Sequence, residues 1–167
     1  LELDAGKRRD ELASEILDFI IERLRSYYAD QHIGSDAFEA VRALSPSSLV
    51  DFDRRLHAVV AFARLPEAHA LAAANKRIGN ILKKIEGEVP TQVSESLLAE
   101  EAERALFSSM AALKPRADAA FEAGDYTGSL QALAALRGPV DAFFDGVMVN
   151  AEDAALRANR QALLNQL

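Results

Sequence analysis

Residues 67–85 read EAHALAAANKRIGNILKKI. At about 100° per residue, Leu71, Ala74, Ile78, Ile81, Leu82 and Ile85 share one face of a helix. Lys76, Arg77, Asn80, Lys83 and Lys84 share the opposite face. The apolar positions recur at three and four, not two, so the stretch predicts an amphipathic helix with a core side and a cationic side. Only small or polar residues accompany the cations on that side, so a backbone phosphate can approach closely. Gly87 and Pro90 end the helix.

The same period recurs outward in both directions, and no alternating strand pattern interrupts it. Residues 7–29 carry Leu12, Ile16, Phe19, Ile20 and Leu24. Ser35 or Asp36 can cap a short helix reaching Leu44, because a side-chain oxygen there accepts an orphan backbone N–H. Ser45-Pro46 signals another start, with Leu49, Phe52, Leu56, Val59 and Val60 as its core stripe, and Leu65-Pro66 ends that helix. Ser94 opens a long helix with Leu97, Leu98, Leu106, Met110 and Leu113, which Pro115 can kink or split. Gly124 suits a helix stop and Asp125 a cap for residues 126–136. Gly138-Pro139 marks a further break before a helix at 139–147, and Asp153 caps the last one. With short connections between them, these segments predict an all-α antiparallel bundle of about seven or eight helices. In Tyr27-Tyr28 and Phe143-Phe144, one ring of each pair is expected in the core and the other at an edge.

The chain has 167 residues, net charge −7 and no Cys. That length fits a single domain over 1–167. Ala occurs 32 times, which favours helix. No run approaches the ~18 apolar residues of a membrane span, and the opening LELDAGKRRDELASEI is too charged for a secretory leader. A cytoplasmic protein fits. The absence of an initial Met and the uncapped close RANRQALLNQL suggest a piece of a longer protein.

Charge is unevenly placed. Residues 54–84 hold seven Lys/Arg (Arg54, Arg55, Arg64, Lys76, Arg77, Lys83, Lys84) against Glu67 alone, whereas the rest holds 12 cations and 25 acids. A solvated helix face ordinarily mixes signs through i,i+4 pairs. A cationic segment in an acidic chain points to a polyanion, the alternative being an ordinary solvated helix face. Arg54 and Arg55 lie off the core stripe of their helix. So does Phe62, a ring able to stack on an unpaired base or to pack on another helix.

Catalytic signatures are missing. There is no GxxxxGK[ST], GxGxxG or GxSxG. His32, His57 and His69 have no metal-binding spacing and are expected at the surface. No catalytic residue, metal ligand or cofactor is therefore assigned within these residues.

The C-terminal stretch PVDAFFDGVMVNAEDAALRANRQALLNQL (139–167) resembles the end of the β subunits of bacterial glycyl-tRNA synthetases. ERLRSYY (22–28), DAFEAVRAL (36–44), ALAAANKRIGNILKK (70–84) and FEAGDYTGSLQALAAL (121–136) resemble the same region in the same order. A looser version is shared with the C-terminal domain of arginyl-tRNA synthetases. Both are helical anticodon-binding domains named for a D-A-L-R motif, which here reads Asp153-Ala154-Ala155-Leu156-Arg157. Two positions depart from the pattern: Asn150, where a hydrophobic residue is usual, and Gln161, where Leu is usual.

The resemblance implies a non-catalytic module that grips the anticodon region of tRNA-Gly. It also implies a partner α subunit that carries ATP- and magnesium-dependent glycine activation. Neither a membrane nor DNA is implied. Charge and wheel position nominate the contacts. Arg54, Arg55, Lys76, Arg77, Lys83 and Lys84 would neutralise phosphates. Asn80 and an exposed ring, Phe62 or Phe144, would meet unstacked bases. Arg157 and Arg160 would either touch RNA or brace the MVNAED loop. The rival expectation is a scaffold domain that docks the β chain onto the α subunit or onto its other domains.

Overall fold

The computed structural model describes the backbone of residues 2–85 and 87–167, and the side chains of 8, 9, 11–85 and 87–167. The charged opening segment lies partly outside the described side chains. The described residues form α-helices and one 3₁₀ turn, with no strand. In order these are α1 (Glu2–Arg23), α2 (Arg25–Asp30), α3 (Ser35–Arg42), α4 (Leu49–Ala63), α5 (Ala68–Leu82), the 3₁₀ turn Glu95–Leu97, α6 (Glu101–Glu122), α7 (Tyr126–Ala134), α8 (Arg137–Gly146) and α9 (Ala154–Asn165). Only Leu24 separates α1 from α2, so the two continue as the single interrupted helix expected from the sequence, and the bundle is all-α as predicted.

Two apolar clusters hold it together. Ile21, Tyr28, Phe38, Val41, Phe52 and Leu56 join α1–α4. Ile78, Leu106, Leu136, Val140, Phe143, Val147, Val149, Leu163 and Leu164 join α5, α6, α8 and α9. Each fully buried side chain of this size contributes on the order of 1.5–3 kcal/mol. Helix α7 packs on both α4 and α6 and so links the two clusters. Tyr28 and Phe143 are buried, while Tyr27 is exposed and Phe144 half-buried, as the paired aromatics suggested.

The N-terminal stripe differs from expectation. Leu12, Ile16, Phe19 and Ile20 face outward, with Phe19 60% exposed. Leu24 of the expected stripe does turn inward, but its companions there are Leu17, Ile21 and Tyr28. Both sets have helical spacing, and contact with α3 and α4 selects the second. Arg42, donating to both oxygens of Asp18 at 2.8 and 2.9 Å and pairing with Glu22, ties α1 to α3.

Several boundaries also move. Helix α4 begins after Ser48, whose hydroxyl accepts from Asp51 N at 3.1 Å, rather than at Ser45-Pro46. Ser45 has φ 49°, outside the helical region, so no helix starts there. Gly34, not Ser35 or Asp36, precedes α3 as its cap residue. The long helix starts at Glu101, where Glu100 and Glu103 exchange capping-box hydrogen bonds, not at Ser94. Pro115 lies within α6 without splitting it. Pro115 and Ala111 are both exposed, so the Ala111 carbonyl left without its N–H partner can be hydrated. Gly138-Pro139 falls in the first turn of α8, where a missing N–H costs nothing, and makes no break. Gly124 does close α6, at φ 75°, and Asp125 caps α7 by accepting from Gly128 N at 2.8 Å.

Candidate nucleic-acid interface

Helix α5 buries Ile78 and turns Lys76, Arg77, Asn80, Lys83 and Lys84 outward. Its last carbonyls bond onward through Lys83, Lys84 and Ile85 in a tightening turn, which keeps both lysines in register with the helix. Among the described residues, Lys76, Arg77, Lys83 and Lys84 form no ion pair. The Arg77 guanidinium lies 4.1 Å over the ring of Phe144, which rests edge-on against the buried Phe143. One guanidinium face is thus backed by an aromatic.

Facing α5 is the connection 147–153. Val147 and Val149 point into the core, while Met148 and Asn150 point out. Two arginines hold this loop. Arg160, 5% exposed, donates to the Met148 carbonyl at 2.9 Å and pairs through Nε with Glu103 Oε1 at 2.9 Å. Glu103, 0% exposed, also accepts from Glu100 N at 2.7 Å. Arg157 donates to the carbonyls of Ala151 at 2.7 Å and Glu152 at 3.3 Å. Of the two roles open to Arg157 and Arg160, the contacts seen are those of braces on this loop.

Between the helix and the loop runs a cleft of about 510 Å³, lined by Lys76, Arg77, Asn80 and Lys84 with Asn150 and Gln161. Among the described residues, no carboxylate lines it. A larger hollow of about 620 Å³ between α1 and α3 carries Glu11, Glu15, Asp18 and Glu39 beside Arg42, a lining that repels a polyanion.

The other nominated residues lie elsewhere. Arg55 is held by Asp51 at 2.9 Å and Tyr126 at 3.1 Å, with its guanidinium 4.4 Å over the Tyr126 ring and 5.4 Å from that of Phe121. It joins α4 to α6 and α7 rather than presenting a free charge. Although burial pushes the Asp51 carboxyl up, hydrogen bonds from Tyr126 and Arg55 hold it below the usual carboxylate range. Phe62 is half-buried and lines an apolar crevice with Leu71, Ile78, Leu133 and Val140, away from the cleft beside Lys76 and Lys84. Arg54 is exposed but sits at the α6–α7 turn beside Gly124. Lys83 is exposed outside the cleft. Sequence reasoning did not nominate Asn150 or Gln161, because nothing local shows that they face α5.

Asp153 caps α9 by accepting from Ala155 N at 2.7 Å and Leu156 N at 3.0 Å. Those hydrogen bonds, from Leu156 first, hold its carboxyl below the ordinary value. Asp153→Ala is expected to lower the thermal midpoint by a few degrees, and Asp153→Asn by less. A depressed folded pKa contributes stability above the unfolded value, about 3.9. That contribution disappears as pH falls through the lower folded value. Melting curves at pH 7 and pH 3 should therefore show the Asp153→Ala deficit shrinking in acid.

Residues 71–167 match the DALR anticodon binding domain family. The chain is 60% identical over 154 residues to the glycine–tRNA ligase beta subunit of Janthinobacterium sp. (strain Marseille), covering 92% of this chain and 22% of that protein. It is 52% identical over 163 residues to that of Xanthomonas campestris pv. campestris (strain B100), covering 98% and 23%. It is 54% identical over 156 residues to that of Pseudomonas aeruginosa (strain LESB58), covering 93% and 23%. The chain spans about a fifth of the length of these curated relatives.

Proposed function

The chain belongs to the DALR anticodon-binding family, and from that premise we propose that it is a tRNA-binding module that holds the anticodon end of tRNA-Gly for a glycine–tRNA ligase. One observation carries this reading. The unpaired cations Lys76, Arg77 and Lys84 share a cleft with three amide side chains and, among the described residues, no carboxylate, in a chain of net charge −7. Phosphate contacts fix affinity and register, while contacts to base edges add specificity. Lys76, Arg77 and Lys84 take backbone phosphates, and Lys83 adds to the field just outside the cleft. Asn80 reaches a base or ribose. Phe144 supports the Arg77 guanidinium, whose outer face can stack on a base.

The braces Arg157 and Arg160 act through the loop and do not touch RNA. Glycine activation with ATP and magnesium falls to a partner α subunit in the cytoplasm. Among the described residues, no group of three His, Cys, Asp or Glu could hold a metal ion, and no helix is long and apolar enough to cross a membrane.

Titration of tRNA-Gly into the chain tests the proposal. Saturable binding is expected, with log K falling roughly 2 per decade of salt if about three phosphates are neutralised at ~0.7 each. Absence of binding, or binding indifferent to salt, would overturn it.

A further inference from the structure

We infer that the cleft between α5 and the 147–153 loop is a pocket for one unstacked nucleotide: Asn80, Asn150 and Gln161 meet the edge of its base, and Lys76 and Lys84 meet its flanking phosphates. This rests on the tRNA-binding reading and adds to it a site of defined size and chemistry.

A volume of about 510 Å³ lies within the range of small-ligand sites, ~300–1,000 Å³. It suits one nucleotide and excludes a helical stem. The lining contains more than a phosphate surface requires. Phosphates call for cations and N–H donors, whereas an amide offers a donor and an acceptor together, the pattern that complements a base edge. Three amides converge here, and none has a protein hydrogen-bond partner among the described residues. Asn159 provides the contrast: it is buried and joined to both N and O of Ser94, at 2.7 and 3.1 Å, as a structural amide should be.

Ala73, Ile81 and Ile85 supply an apolar wall for the flat face of a base. Asn150 is positioned in advance, because the backbone on either side of it is held at Met148 by Arg160 and at Ala151 by Arg157. Met148, two residues away and 72% exposed, extends the apolar surface at the loop's outer side. A side chain of that size held outward by a fixed backbone is suited to contact a splayed base.

The test uses an anticodon stem-loop RNA and a series in which each loop nucleotide in turn is made abasic. For the unmodified chain, one abasic position should weaken binding about tenfold, as expected for a base held by stacking and edge contacts. The triple variant Asn80→Ala/Asn150→Ala/Gln161→Ala should bind the intact loop about tenfold more weakly, with its salt dependence unchanged. It should lose nothing further at that abasic position, since both changes remove one contact. If the triple variant binds as tightly as the unmodified chain, or if no abasic position matters to the unmodified chain, the pocket is refuted while salt-dependent tRNA binding stands. If the stem-loop is not bound at all, both readings fall. The abasic series requires no protein variant, so a loop with no sensitive position refutes the pocket even if the triple variant folds poorly.

Discussion

Arg160→Ala is expected to lower folding stability by about 3–5 kcal/mol, because it leaves the carboxylate of Glu103 buried without its cation. Glu103 is fully buried and Arg160 nearly so. Removing the guanidinium takes away the 2.9 Å bond to Glu103 and the donor to the Met148 carbonyl together. The Glu100 N–H that remains on Glu103 satisfies one lone pair but not the charge. Glu103→Ala strands the arginine in the same way. The paired replacement Glu103→Leu/Arg160→Met should cost less than either alanine variant alone, since apolar groups of similar volume leave no uncompensated ion. Urea unfolding of the four proteins measures this. Single-variant losses below about 1 kcal/mol would mean that water reaches the pair and that the loop is not fixed by it.

Lys76→Ala/Lys84→Ala should weaken tRNA-Gly binding about tenfold at 0.1 M salt, from two exposed phosphate contacts at ~0.7 kcal/mol each. Stability should hardly change, because neither lysine has an intramolecular ion pair among the described residues. Arg55→Ala is the contrasting control. It removes a guanidinium held between Tyr126, Asp51 and Phe121, so it should destabilise the protein and leave affinity intact. Lys83→Ala, outside the cleft, should weaken binding less than Lys84→Ala. Equal losses from all four cations would point to a diffuse field rather than a shaped site.

The sequence makes the local features of this site legible. The Ile/Leu period of α5 fixes which face is buried, and its cations emerge opposite. Asp153 and Gly124 sit where cap and stop chemistry require them. What escapes the sequence is contact at long range. Arg54 and Arg55 look alike on a wheel, yet Arg55 meets Tyr126, which is 71 residues away, and Arg54 stays in solvent. Arg160 resembles a surface cation of α9 until Glu103, 57 residues earlier, is seen to bury with it. Asn150 and Gln161 depart from the pattern one expects of this region, but only the fold puts both beside Asn80. On α1, two apolar stripes of helical spacing compete, and the packing of α3 and α4 chooses between them.

The most direct measurement is the salt dependence of tRNA-Gly binding by the unmodified chain and the Lys76→Ala/Lys84→Ala variant, measured side by side. The slope of log K against log salt should be shallower in the variant by about 1.4, at ~0.7 for each single-strand phosphate released from contact. Identical slopes in two folded proteins would show that the cleft face of α5 does not touch the RNA backbone, and would contradict the account.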